Sequence, residues 1–202
     1  RGPLRDEYAL GQTGLKAVSL EVCAVSGAAP GPRCPRRAKT WFIPGVSPIA
    51  ACEVHREILV DERSGRRACG HAGARTEVFE FWPSDLLRIF RQAGIPRRTP
   101  PAYDPACGLT DRAGRGAPPR ITSPLSGVTY HATAADPGPI PLSAVADADA
   151  TELYWFADGA LLGRSRAGKL LFWTPRPGRS TVRVVDDQGR GDARDVEVAF
   201  SE

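Results

Sequence analysis

Residues 119–202 alternate apolar and polar side chains over short stretches, and turn-forming residues separate these stretches. A period of two is typical of strands that bury one face. The predicted strands are 119–123, 128–132, 140–145, 152–157, 161–164, 169–174, 180–185 and 194–200. Asp158-Gly159 predicts a hairpin, because both central positions of such a turn need positive φ. The pattern predicts an immunoglobulin-like β-sandwich.

The alternation also predicts which side chains of this sandwich face inward. Leu153 and Trp155 share one face of their strand, and Val182 and Val184 share one face of another. We therefore expect these four side chains in the core. The inter-sheet disulfide of antibody domains is excluded, since this half contains no cysteine.

Residues 1–111 predict a small α+β segment. An alternating strand covers 18–23, and a hairpin pairs 54–60 with 66–69. Residues 85–93 form a helix with Ser84 as its N-cap, and Gly94 and Pro96 end it. At this length the helix must pack against other elements to persist.

Composition supports a mainly β protein and a division of the chain. With 21 Gly and 19 Pro among 202 residues, long helices are excluded, and no apolar stretch is long enough for a membrane span. The Gly/Pro-rich stretch 112–118 predicts a linker between a segment 1–111 and a sandwich 119–202. The chain opens without a methionine, which predicts a fragment or a processed product.

The net charge of +4 does not indicate nucleic-acid binding. Basic residues are concentrated in the first half, but its arginines are scattered, as in Arg36-Arg37 and Arg66-Arg67. No DNA- or RNA-binding motif accompanies them. A basic face toward an anionic cell-wall or membrane surface is the better interpretation.

The five cysteines all lie in the first half, at Cys23, Cys34, Cys52, Cys69 and Cys107. The short Gly/Pro-rich spacer between the first two predicts a Cys23–Cys34 disulfide. In the expected hairpin Cys69 falls far from Cys52 along the strands. We therefore expect one of these two to pair with Cys107, and favour Cys52, with Cys69 as the free thiol.

Other candidate chemistry is weaker. Cys52, His55, Cys69 and His71 would supply four zinc-type ligands, but Cys-x-His spacing is uncommon. The sequence therefore favours disulfides and surface histidines, with no metal and no cofactor. The acidic pairs Glu77/Glu80 and Asp186/Asp187 are expected to be solvated.

Catalytic motifs of acyl-serine transpeptidases are absent from the sequence. These enzymes need Ser-x-x-Lys, Ser-x-Asn and Lys-Thr-Gly. The chain has no Asn, no Ser followed three residues later by Lys, and Lys39-Thr40 is followed by Trp41. We therefore expect no catalytic residues in this chain.

Two ordered sets of segments resemble the C-terminal region of the penicillin-binding protein 1C family. In the second half they are ITSPLSGVTY (121–130), LYWFADG (153–159), FWTP (172–175) and VVDDQGR (184–190). In the first half they are VCAVSG (22–27), GPRCP (31–35), WFIPGVSP (41–48) and FWPSDLL (81–87). The resemblance covers nearly the whole chain beyond about residue 15.

This resemblance implies the C-terminal part of a bifunctional peptidoglycan glycosyltransferase/transpeptidase, anchored in the bacterial inner membrane and facing the periplasm. One hypothesis is a non-catalytic module that contacts the catalytic domains of the same protein or other periplasmic cell-wall proteins. The alternative is a module that binds peptidoglycan through exposed aromatic rings. Trp41, Trp82 and Trp173 are the candidate contacts for glycan or partner.

Overall fold

A computed structural model describes residues 7–10, 15–108, 116–133 and 138–201. Its contacts divide the chain into two compact units, Arg1–Glu57 and Ile58–Glu202. This division differs from the boundary expected at 112–118, because residues 58–108 pack with the sandwich: Ser84 N, for example, donates to Ala146 O at 2.9 Å. Of the expected linker, residues 112–115 lie outside the described part of the chain.

The first unit contains a three-stranded antiparallel sheet in the order β1-β2-β3. The strands are β1 (Glu7–Leu10), β2 (Leu15–Cys23) and β3 (Arg37–Phe42). Every residue of the edge strand β3 except Phe42 is exposed, and its Arg37 and Lys39 are charges of the kind that discourage pairing with another chain. Beyond the sheet, a single parallel bridge joins Ala29 to Ala51.

The second unit begins within β4 (His55–Asp61), which pairs with β5 (Ala74–Glu80). The expected hairpin is present as a bridge between Val60 and Arg67. Ile58, Val60 and Phe81 form a small buried cluster, against which Phe79 and Ala148 pack.

The helix α1 (Ser84–Gln92) corrects one prediction. Ser84 is its first residue rather than its N-cap, and the N-cap residue Pro83 makes no side-chain hydrogen bond to the helix. The Ser84 hydroxyl instead accepts a hydrogen bond from Ala146 N at 3.1 Å. The end of the helix is as predicted, since Gly94 adopts φ +67 and Ile95 N donates to Phe90 O. Along the described chain, no helix is long and apolar enough to cross a membrane.

The remaining strands form an immunoglobulin-like β-sandwich, as predicted. One sheet has the order β10-β9-β12-β13-β7 and the other the order β11-β8-β6. The strands are β6 (Arg120–Ser123), β7 (Thr129–Thr133), β8 (Ile140–Val145), β9 (Glu152–Ala157), β10 (Ala160–Arg166), β11 (Leu171–Trp173), β12 (Gly178–Asp186) and β13 (Gly191–Ser201). Asp158 and Gly159 both have positive φ, at 50° and 84°, so the turn between β9 and β10 has the predicted geometry.

The inward faces of the two sheets form the largest core cluster of the described residues. Trp155 lies on β9 opposite Val184 on β12. Leu153, Trp155, Val182 and Val184 have no exposed surface. At about 25 cal/mol per Å² of buried apolar surface, such a cluster is the main source of stability for this unit.

Candidate functional site

The candidate aromatic contacts fall into two environments. Trp41 on β3 is 48% exposed, whereas Trp82 and Trp173 are each 8% exposed. The Trp82 ring packs edge-on against Phe90 with a centroid distance of 5.1 Å, and its Nε1 donates to Glu80 Oε2 at 2.7 Å. Trp82 and Trp173 therefore serve packing, and of the three candidates Trp41 is the one whose ring a ligand can reach.

Trp155 belongs to the sandwich interior. Its indole Nε1 donates to Ser165 Oγ at 3.1 Å across the β9–β10 pair. A buried Trp needs such a partner because an unsatisfied N–H in the core costs about 1–3 kcal/mol. Core packing therefore holds the apolar part of the Trp155 ring, and the hydrogen bond to Ser165 holds its N–H group.

A groove of about 760 Å³ lies in the second unit beside α1. Its apolar lining includes Leu87, Phe90 and Ile95, and its charged lining includes Arg91 and Arg166. None of its lining residues is a histidine or a cysteine. Ser84, which also lines it, is buried and bonded to the backbone of Ala146. The groove thus offers a contact surface of mixed apolar and charged character.

A chain of four buried charges crosses the second unit. Arg67 Nη1 donates to Asp149 Oδ2, Arg190 Nη2 donates to Asp149 Oδ1, and Arg190 Nε donates to Asp186 Oδ2, each at 2.7 Å. All four side chains are at most 7% exposed. Each of these buried charges faces a charge of opposite sign, which compensates the cost of burying it.

Each end of this charge network has further partners. The Arg67 guanidinium lies 4.3 Å from the centre of the Tyr103 ring. Asp186 Oδ1 accepts hydrogen bonds from the backbone N–H groups of Gln188 and Arg190. Burial lowers the pKa of Arg190, but the Asp149 and Asp186 carboxylates outweigh this effect and raise it. Asp186 is 2% exposed, so the expectation that it is solvated was wrong.

The cysteines pair differently from the prediction. A disulfide joins Cys69 to Cys107, and Cys23, Cys34 and Cys52 are free thiols. The predicted Cys23–Cys34 and Cys52–Cys107 bonds and the free Cys69 are therefore corrected. The reason is local to the second unit: Arg67 forms a parallel bridge with Tyr103, and this bridge carries Cys69 and Cys107 to a Cα separation of 5.7 Å.

The three free thiols of the first unit meet around one imidazole. One ligand atom each from Cys23, Cys34, Cys52 and His55 lies within 4.8 Å of all the others. His55 Nδ1 is 3.4 Å from Cys52 Sγ and 3.6 Å from Cys23 Sγ. We call these four side chains the Cys₃His cluster. Cys52 and His55 belong to the four-residue zinc set considered from the sequence, whereas Cys69 is in the disulfide and His71 is an exposed residue of the second unit.

The surroundings of the Cys₃His cluster affect its thiols unequally. Burial raises the pKa of Cys23, but hydrogen bonds from the side chain and backbone of Ser26 and the backbone of Val25 outweigh it and lower the pKa to about 7. Burial raises the pKa of Cys34 to about 11, against a hydrogen bond from Gly31 N. The hydrogen-bond donors therefore favour the thiolate at Cys23, whereas burial favours the neutral thiol at Cys34.

The sequence missed both of these constellations. The charge network joins positions far apart in the chain, and an Asp or Arg inside a turn gives no local signal of burial. The Cys₃His cluster had a partial signal in the Cys52-x-x-His55 spacing. The other two ligands, Cys23 and Cys34, were predicted to form a disulfide with each other, so the sequence did not identify them as metal ligands.

Two family models match this chain. Residues 109–198 match the Penicillin-Binding Protein C-terminus Family. Residues 16–57 match the family Penicillin-binding protein 1A, C-terminal domain. None of the curated proteins matches the sequence.

Among solved structures, the fold is similar to a fibronectin(III)-like module of Clostridium thermocellum CbhA. The identity is 17% and the TM-score 0.35, over 42% of this chain and 99% of that chain. The family matches cover most of the first unit and most of the sandwich. Together the two matches, over residues 16–57 and 109–198, support a C-terminal region of a penicillin-binding protein.

Proposed function

We propose that this chain is a non-catalytic, periplasmic module of a bifunctional peptidoglycan synthase, and that it acts through protein contacts. Its partners are the catalytic domains of the same protein or neighbouring cell-wall proteins. The family matches support the setting in a penicillin-binding protein. The observation that carries the protein-contact role is the burial of Trp155 and Trp173 inside the sandwich, because a glycan-binding surface needs exposed ring faces.

Two further features support a non-catalytic role. The sequence lacks the Ser-x-x-Lys motif that provides the nucleophile and base of transpeptidases. The groove beside α1 is lined by residues without a histidine or cysteine that could act as a base or nucleophile.

Glycan binding is the second candidate function, and Trp41 is the residue that favours it. Its ring is 48% exposed on the edge strand β3. One ring supplies about 1 kcal/mol of stacking, which is weak on its own. Trp41→Ala is therefore the variant that separates the two functions.

The test is a binding comparison with the full chain. We expect no co-sedimentation with purified peptidoglycan sacculi, and measurable binding by calorimetry to the purified catalytic part of the same polypeptide. Phe172→Ala, which removes a ring that is 61% exposed in the second unit, is the matched control for Trp41→Ala. Sedimentation with sacculi that Trp41→Ala abolishes and Phe172→Ala preserves would establish glycan binding instead. Failure to bind the catalytic part would overturn the protein-contact role.

A further inference from the structure

We propose that the first unit binds one structural zinc ion through the Cys₃His cluster, with Sγ of Cys23, Cys34 and Cys52 and Nδ1 of His55 as ligands. These atoms come from β2, from two loops and from the start of β4, and all lie within 4.8 Å of one another. Cys23 and His55 are buried, and Cys34 and Cys52 are half-buried. This proposal is independent of the protein-contact function.

The spacing of the ligand atoms fits a tetrahedral ion. With Zn–S near 2.3 Å and Zn–N near 2.0–2.1 Å, a tetrahedron places sulfur and nitrogen about 3.6 Å apart and two sulfurs about 3.8 Å apart. The two sulfur–nitrogen distances at His55 are 3.4 and 3.6 Å. A hydrogen bond would explain one of these contacts, whereas a common ion explains both.

The backbone brings the ligands together in defined turns. Cys23 ends β2 in a tight turn, in which Gly27 N donates to Cys23 O and Cys23 N donates to Ala28 O, both at 2.8 Å. Cys52 N donates to Ala29 O at 2.9 Å, which places the third cysteine beside that turn.

Donors from the protein are also directed at the sulfur atoms. Ser26 Oγ donates to Cys52 Sγ at 3.2 Å, and Gly31 N donates to Cys34 Sγ at 3.3 Å. Hydrogen bonds to the sulfurs stabilise thiolates and orient metal ligands.

A metal accounts for this composition better than a disulfide. The cluster has three thiols, so any disulfide among them leaves one thiol unpaired beside a buried imidazole. A four-coordinate zinc ion would instead bind all three cysteine sulfurs and His55. Three thiolates and one imidazole are a closed ligand set, typical of structural zinc rather than catalytic zinc with its open position.

The size of the unit supports the same conclusion. Among its described residues the buried hydrophobic side chains are Ala17, Val22 and Cys23. Units of fewer than about 70 residues rarely stay folded on such a core without a disulfide or a metal. In structural zinc sites the binding free energy is folding free energy. Metal binding would therefore supply the folding free energy that the small core of the first unit does not provide.

The direct test is metal analysis of the full chain, purified with reductant and without chelator. We expect about one zinc per chain by elemental analysis and native mass spectrometry. Replacement by Co²⁺ should give the visible absorption bands of tetrahedral, thiolate-ligated cobalt. This measurement needs no variant, so it holds even if ligand substitutions unfold the unit. A reduced chain that takes up neither ion overturns the proposal.

Variants identify the ligands. Cys34→Ser and His55→Ala should each lower the zinc affinity at least tenfold in a chelator competition. His71→Ala and the double variant Cys69→Ser/Cys107→Ser are the matched controls, because these residues lie outside the cluster, and both should keep the zinc. Equal loss in His71→Ala and His55→Ala would refute the assigned set. A Cys23–Cys34 disulfide in metal-replete protein isolated without oxidant would also overturn the proposal.

Discussion

Asp149 is the residue through which the buried charge network of the second unit is connected. Its two carboxylate oxygens each accept a 2.7 Å hydrogen bond, one from Arg67 and one from Arg190. The side chain is 3% exposed. We predict that Asp149→Asn strongly destabilises the second unit, because it removes the negative charge between the two arginines. Asparagine has nearly the same shape as aspartate, so the effect can be assigned to the charge.

The magnitude follows from the burial of the partners. Asparagine offers one acceptor oxygen, so one of the two guanidinium groups then faces an amide N–H₂ group. Removing one member of a buried ion pair costs about 3–5 kcal/mol, since the remaining charge is left uncompensated. A unit of this size loses about 3 °C of melting temperature per kcal/mol. The expected loss is therefore roughly 10–15 °C.

The control is Glu152→Gln, which makes the same chemical change in an exposed pair. Arg164 Nη1 lies 3.5 Å from Glu152 Oε2, and the two side chains are 70% and 35% exposed. Exposed pairs contribute about 0–1 kcal/mol, so this variant should melt within a few degrees of wild type. Both are measured on the full chain by thermal melts followed by far-UV circular dichroism. Equal melting temperatures for the two variants would refute the argument that the network is stabilised by burial.

Three further predictions concern the core of the sandwich, the Cys69–Cys107 disulfide and covalent labelling by β-lactams. Trp155→Ala should lower the free energy of unfolding of the second unit by about 3–5 kcal/mol, whereas Phe172→Ala should change it by less than about 0.5 kcal/mol; similar values in urea titrations would contradict the assignment of Trp155 to the core. Peptide mapping without reduction should link Cys69 to Cys107, and Cys69→Ser should cost up to about 4 kcal/mol for a sequence separation of 38; peptides linking Cys52 to Cys107 would contradict it. A fluorescent β-lactam should leave the chain unlabelled, since the acyl-serine motif is absent; a covalently labelled band would show a nucleophile elsewhere.

The sandwich could be predicted from sequence because its signals are local. Alternation over a few residues identified each strand of the sandwich, and Asp158-Gly159 identified the turn between β9 and β10. The parallel pairing of β13 with β7 could not be predicted, since strand order depends on contacts between distant segments. Ser84 shows the same limit: its position suggested an N-cap, but its hydroxyl bonds to Ala146, far along the chain.

For Cys23 and Cys34 the sequence predicted that the two residues lie close together, but it did not predict which other residues join them. The short spacer between Cys23 and Cys34 predicted that they lie together, and their sulfurs are within 4.8 Å. The spacer could not show that Cys52 and His55 reach the same point, because this depends on the bridge between Ala29 and Ala51. Two neighbouring thiols alone favour a disulfide in an oxidising compartment. With a third thiol and an imidazole added, the same two sulfurs become half of a tetrahedral ligand set. The unit with few buried side chains is also the one in which these ligands meet, whereas the unit with the large core has the disulfide and the charge network.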